Sequence, residues 1–135
     1  MKLNIPSILF VYLIVDLIWI SANYKMYNEA VVRIQGRNIN FRAVSAIISY
    51  SLLIINIYFI LIPYTKKLKT RKSRISAFAL SGLVIYGVYN ATTYAIIDNY
   101  PLHVAIIDSL WGMASHTALA LAIDIFTAIY KKSDL

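Results

Sequence analysis

Residues 43–63, from Ala43 to Pro63, read AVSAIISYSLLIINIYFILIP and contain no Asp, Glu, Lys or Arg. A helix crosses ~30 Å of hydrocarbon with ~20 mainly apolar residues at ~1.5 Å each, which is the length of this run. Membrane-spanning strands need only ~10 residues and alternate in polarity, so the unbroken run predicts a helix. Three further stretches qualify: 5–24, whose one charge is Asp16; 75–97, with none; and 102–130, with Asp108 and Asp124. The expectation is all-α, an integral membrane bundle of four transmembrane helices forming a single domain over 1–135.

The composition agrees. Hydrophobic residues make up 60% of the chain and charged residues 14%, against roughly 45–50% and about 25% in soluble domains. That leaves too little polar surface for an ordinary cytosolic enzyme and too much apolar surface for a disordered chain. The absence of Cys excludes disulfides, a thiolate nucleophile and Cys-based metal sites. Span one is read as a retained helix rather than a cleaved signal peptide, because Asp16 and Trp19 interrupt its apolar region and three more spans follow.

Six of nine residues between spans two and three are basic, in Lys66-Lys67-Leu68-Lys69-Thr70-Arg71-Lys72-Ser73-Arg74. With Lys2, Lys131 and Lys132 they put nine basic residues on one side, against Lys25, Arg33, Arg37 and Arg42 on the other. The positive-inside bias then predicts both termini and loop 64–74 in the cytoplasm, N-in/C-in. The same bias explains the basic run without nucleic acid, and anionic headgroups are its natural neighbours. Membrane lipids are therefore the expected partners. In the first exterior loop, Tyr27, Ala30 or Val31, and Ile34 recur at helical spacing, with Gly36 suited to a helix end.

Polar residues inside the spans fall on stripes. Tyr12, Asp16, Trp19 and Asn23 share a face of span one, and Asp108, Trp111 or Gly112, and Ser115 one of span four. Gly82, Tyr86, Tyr89 or Asn90, and Thr93 do the same in span three. Counting ~1.5 Å per residue, Asp16 lies ~12 Å in from Tyr24, Asn90 ~10 Å in from Ile97 and Asp108 ~9 Å in from Leu102. The three are expected in one layer of the outer half. His116, ~12 Å deeper than Asp108, reads as either a proton relay or a neutral histidine bonded to a neighbouring helix. Asp124 should pair with the basic loop, and Asn56 should make an interhelical hydrogen bond. Asp-x-x-Trp occurs twice, at Asp16–Trp19 and Asp108–Trp111. Trp19 lies outward of its Asp and Trp111 inward, which reads as chance or convergent packing rather than equivalence.

The run Tyr86-Gly87-Val88-Tyr89-Asn90-Ala91-Thr92-Thr93-Tyr94-Ala95, followed by Pro101, Asp108, Trp111 and Gly112, resembles the signature of a multi-pass membrane family, domain of unknown function 2177. That signature reads roughly Y-G-x-Y-D-x-T-N-x-A, a Trp-Pro turn, then D-x-x-W-G, and Asp16 with Trp19 matches its amino-terminal motif. Here Asn90, Thr93 and Tyr100 replace the family's Asp, Asn and Trp. The resemblance implies four spans and brings no activity with it.

Two carboxylates at one depth without an intramembrane Lys or Arg would repel by ~4 kcal/mol at ~4 Å and an effective dielectric of about 20. A shared proton or an intervening cation relieves that. The favoured expectation is thus a site that binds or moves a proton, cation or small amphipathic ligand. Its candidate residues are Asp16, Trp19, Tyr86, Tyr89, Asn90, Thr93, Asp108 and Trp111, with His116 as relay. Four spans are few for a complete path, so a homo-oligomer is expected with transport. One alternative makes the same residues interhelical glue in a partner-binding protein. Another is a lipid-modifying membrane enzyme or its accessory subunit, with Asp16 or Asp108 as general acid or base. No catalytic triad, metal-ligand cluster, phosphate loop or dinucleotide fingerprint is present, so no catalytic residue, cofactor or metal is assigned.

Overall fold

In a computed structural model describing residues 4–133, and the side chains through 129, every regular element is helical. Lys2 and the side chains of Lys131 and Lys132, which entered the charge count, lie outside the described residues. Four helical stretches are long and apolar enough to cross a membrane: Ile5–Ala22, Ala43–Lys66, Arg71–Ile96 and Leu102–Ile129.

Helix α1, Ile5–Ala22, starts at Asn4, whose side chain accepts the Ser7 amide at 3.3 Å, with Pro6 in the first turn where its missing N–H costs nothing. Asn23 leaves helical geometry at φ −102° and ψ 15°, so the expected first span divides there. Helix α2, Tyr24–Gln35, follows at once and ends on Gly36 in the left-handed region at φ 70°.

Span two consists of α3, Ala43–Ile55, a π-helical segment at Asn56–Leu61, and α4, Ile62–Lys66. Pro63 does not end it, as hydropathy had suggested. A proline inside a helix removes a donor and crowds the preceding turn. Here the Ile62 amide reaches back to the Ile57 carbonyl, one residue wider than α geometry, and the wide turn lets the helix continue past Pro63. Helix α5, Arg71–Ile96, begins four residues before the expected Ile75 because the Thr70 hydroxyl caps the Ser73 amide at 3.0 Å. Its first turn is basic and so invisible to a hydropathy window. A turn with Asn99 at φ 64° leads to α6, Leu102–Ser133.

Helices α5 and α6 pack most closely, through glycines. A Cβ on Gly82 would overlap the Gly112 carbonyl, and one on Gly112 would overlap the Tyr86 ring. In the half nearest the basic loop, Leu9, Ile57, Leu61, Phe78 and Leu119 form an apolar core. Asp124 accepts from Arg71 at 3.2 Å and Arg74 at 3.4 Å, the pairing expected of it. Large apolar side chains such as Phe10, Leu52, Leu80 and Leu110 are exposed on every span, as a surface facing lipid requires. Helix α3 buries none of its residues. The polar side chains gather in the half distal to the basic loop.

Candidate functional site

Core contacts between residues 8–12 of α1 and 119–120 of α6, with Asp16 meeting Trp111 farther along, make the two helices antiparallel. Their polar stripes face each other and build two carboxylate centres. The inner one is Asp16, 3% exposed. Its Oδ1 accepts from Trp111 Nε1 at 2.7 Å and from the Tyr86 hydroxyl at 3.1 Å, and its Oδ2 accepts from the Tyr50 hydroxyl at 2.8 Å. Each of the four spans contributes one of these residues. Three donors on one carboxylate fit its acceptor-only chemistry.

The outer centre is Asp108, partly exposed. Tyr27 of α2 donates to its Oδ1 at 2.6 Å, and Asn90 Nδ2 donates to its Oδ2 at 2.7 Å. Asn90, 1% exposed, also donates to the Tyr86 carbonyl at 2.9 Å and accepts from the Tyr100 hydroxyl at 2.9 Å. Trp19 Nε1 donates to the Tyr27 hydroxyl at 3.1 Å. Burial first, then the bond to Asp108, holds the Tyr27 phenol above its ordinary range. Burial first, then the nearby Tyr89 and Asp108, lifts Tyr100 to about 12. Both therefore remain O–H donors at neutral pH.

Trp19 and Trp111 stack with ring centroids 4.2 Å apart and planes 2° from parallel. The two Asp-x-x-Trp motifs thus exchange partners. Trp111 of the second donates to Asp16 of the first, and Trp19 of the first reaches Asp108 of the second through Tyr27. Because the two helices run antiparallel, the reversed order of Trp and Asp sets each Trp toward the other motif's Asp, directly at Asp16 and through Tyr27 at Asp108. The two carboxylates share no donor, so each has its own hydrogen-bond set.

Of the residues expected in the site, Asp16, Trp19, Tyr86, Asn90, Asp108 and Trp111 are brought together. Tyr89 is not, being 64% exposed on the outward face of α5, and Thr93 spends its hydroxyl on the Tyr89 carbonyl at 2.7 Å. His116 is fully buried beside the site. Its Nδ1 lies 3.0 Å from the Gly112 carbonyl and 3.3 Å from the Tyr12 hydroxyl, while Nε2 has no partner among the described residues. It meets Tyr86 ring edge to ring face, with centroids 6.2 Å apart. Among the described residues no hydrogen bond joins it to either carboxylate. Asn56 departs from expectation as well, since its side-chain oxygen is buried in the π segment without a hydrogen-bond partner among the described residues.

Tyr27, Tyr50 and Tyr100 were missed as site residues. The chain has 11 tyrosines, and tyrosine near a membrane surface is ordinarily read as an interfacial anchor. The available signal for Tyr50 was its place as a polar-tipped residue within a charge-free span. Among the described residues, no three His, Asp or Glu side chains are grouped to hold a metal ion.

Fold and site together define a multi-pass α-helical membrane protein with four spanning helices joined through a buried polar network. The chain belongs to the family described as Predicted membrane protein (DUF2177), which matches residues 2–124. No curated protein and no solved structure matches it.

Proposed function

We propose that the two carboxylate centres bind a proton or a small cation, received at Asp108 and held more deeply at Asp16. The observation behind this is that both carboxylates meet only uncharged donors, while the ion pairs of the described residues are those of Asp124. An ionisable group inside a bilayer costs ~2.5–3.5 kcal/mol on insertion scales and marks a functional site by default. Asp108, Tyr27 and Tyr100 are part-exposed and form the accessible end, whereas Asp16 is closed off. A lipid-facing groove of about 460 Å³ between α1 and α3, lined by Leu13, Leu17, Ile47 and Tyr50, gives a small amphipathic ligand a lateral approach to the Tyr50–Asp16 contact. In this reading the basic loop and both termini are cytoplasmic, the distal half faces outward, and movement across the bilayer takes place in a homo-oligomer.

Completeness of the hydrogen bonding favours a second, structural reading. Hydrogen bonds to a charged group contribute ~1.5–3 kcal/mol each, so three on Asp16 offset its insertion cost without any ligand. The stacked pair separates the two readings, because Trp19 and Trp111 are the only tryptophans in the chain. Binding at either centre should change their emission when the protein in lipid nanodiscs is titrated with acid, sodium or potassium. Asp108→Asn should reduce or displace that response and the double variant Asp16→Asn with Asp108→Asn should abolish it, while helix content is kept. An emission spectrum indifferent to every titrant, with both Asp→Asn variants merely less stable, would establish the structural reading.

A further inference from the structure

The basic end of the molecule carries a second site, independent of the carboxylate centres. Helix α5 packs on α4 and the π segment but makes no comparable contact with α3. Spans two and three therefore part away from the loop and leave a groove of about 700 Å³. Its α5 wall runs along Lys72, Ser76, Leu80 and Val84, spaced four apart, and Leu61 and Tyr64 face it from span two. From Lys72 to Val84 is ~18 Å at ~1.5 Å per residue, slightly more than one leaflet of a ~30 Å core. Leu80 and Val84 are 61% and 52% exposed, so the wall is a lipid-facing surface rather than a closed cavity.

Charge decides what fits. Among the described residues, Arg71 and Arg74 are engaged by Asp124, whereas Lys72 forms no ion pair and lines the mouth of the groove. Lys66 at the end of α4, and Lys67 and Lys69 in the connection to α5, stand at the same end of the molecule. A cation above a leaflet-deep groove whose exposed wall carries Leu80 and Val84 beside Ser76 matches an anionic headgroup with an acyl chain below it. Each Lys near such a surface is worth ~1 kcal/mol toward anionic lipid. We infer that the groove between spans two and three holds one anionic phospholipid, with its phosphate at Lys72 and an acyl chain along Leu80 and Val84.

Native mass spectrometry of the full chain, released from nanodiscs of phosphatidylcholine mixed with phosphatidylglycerol, tests this. Wild type should retain one phosphatidylglycerol in preference to phosphatidylcholine. Lys72→Ala should weaken retention about five-fold, the equivalent of ~1 kcal/mol. Leu80→Trp, which fills the channel and leaves every charge in place, should lower it at least as much. Lys69→Ala, which removes the same charge outside the groove, should leave it nearly unchanged. Equal losses from Lys69→Ala and Lys72→Ala would overturn the site in favour of a diffuse basic surface. Retention unaffected by Leu80→Trp would overturn the acyl-chain placement, and equal retention of both lipids would overturn the headgroup assignment.

Discussion

Tyr50 and Tyr89 show how one residue type divides between structure and lipid. Tyr50 closes the donor set of Asp16 at 2.8 Å, while the Tyr89 hydroxyl, on a residue 64% exposed, makes no hydrogen bond among the described residues. Tyr50→Phe keeps the ring and removes one donor from a buried acceptor, so unfolding in micelles should show a loss of ~1.5–3 kcal/mol. Tyr89→Phe should stay within ~0.5 kcal/mol of wild type. Residue identity alone could not make this distinction. Period placed Asp16, Asn90 and Asp108 on inward faces, because a charge or amide in hydrocarbon has to seek protein. A tyrosine is satisfied at either address, and its direction depends on a backbone phase that the Tyr89–Asn90 pair left open.

At the scale of the helices, apolar length located all four spans, and side-chain caps set the starts of two of them. Thr70 and Asn4 begin α5 and α1, and Gly36 closes α2. The π segment was not legible, since Pro63 reads equally well as a helix stop and as the reason for a wide turn before it. Nor could spacing reveal that Gly82 and Gly112 meet across α5 and α6, while Gly87 meets nothing within 4 Å. That difference has a measurable consequence. Gly82→Ala forces a methyl into the Gly112 carbonyl and should cost ~1–3 kcal/mol in thermal or denaturant unfolding. Gly87→Ala, one and a half turns along the same helix, should be neutral or stabilising by up to ~1 kcal/mol through helix propensity. The reverse order would mean that the α5–α6 packing is wrong.

The whole molecule is chemically two-ended. One half is an apolar core under a basic loop, and the other is a polar network under helix α2 and the turn at Asn99. The formal charge of +7 belongs mainly to the first end, with six basic residues in loop 66–74. Because the chain has no Cys, single cysteines report topology without background. In intact cells a membrane-impermeant thiol reagent should label Arg37→Cys and Asn99→Cys, and should reach Lys69→Cys only after permeabilisation. Labelling in the opposite sense would invert the N-in/C-in reading and turn the carboxylate centres toward the cytoplasm.

Whether Asp108 and Asp16 take up a proton or cation, or only tie helices together, decides what the network is for. The stacked Trp19–Trp111 pair, 4.2 Å between centroids, reports on both centres at once. Its emission should shift on titrating the protein in nanodiscs with acid or with sodium or potassium. The shift should be reduced or displaced in Asp108→Asn and in Asp16→Asn and vanish when both are replaced, with helical circular dichroism unchanged. Identical emission in wild type and both variants across every titration would contradict the binding reading and leave the network as the structural tie between the spans.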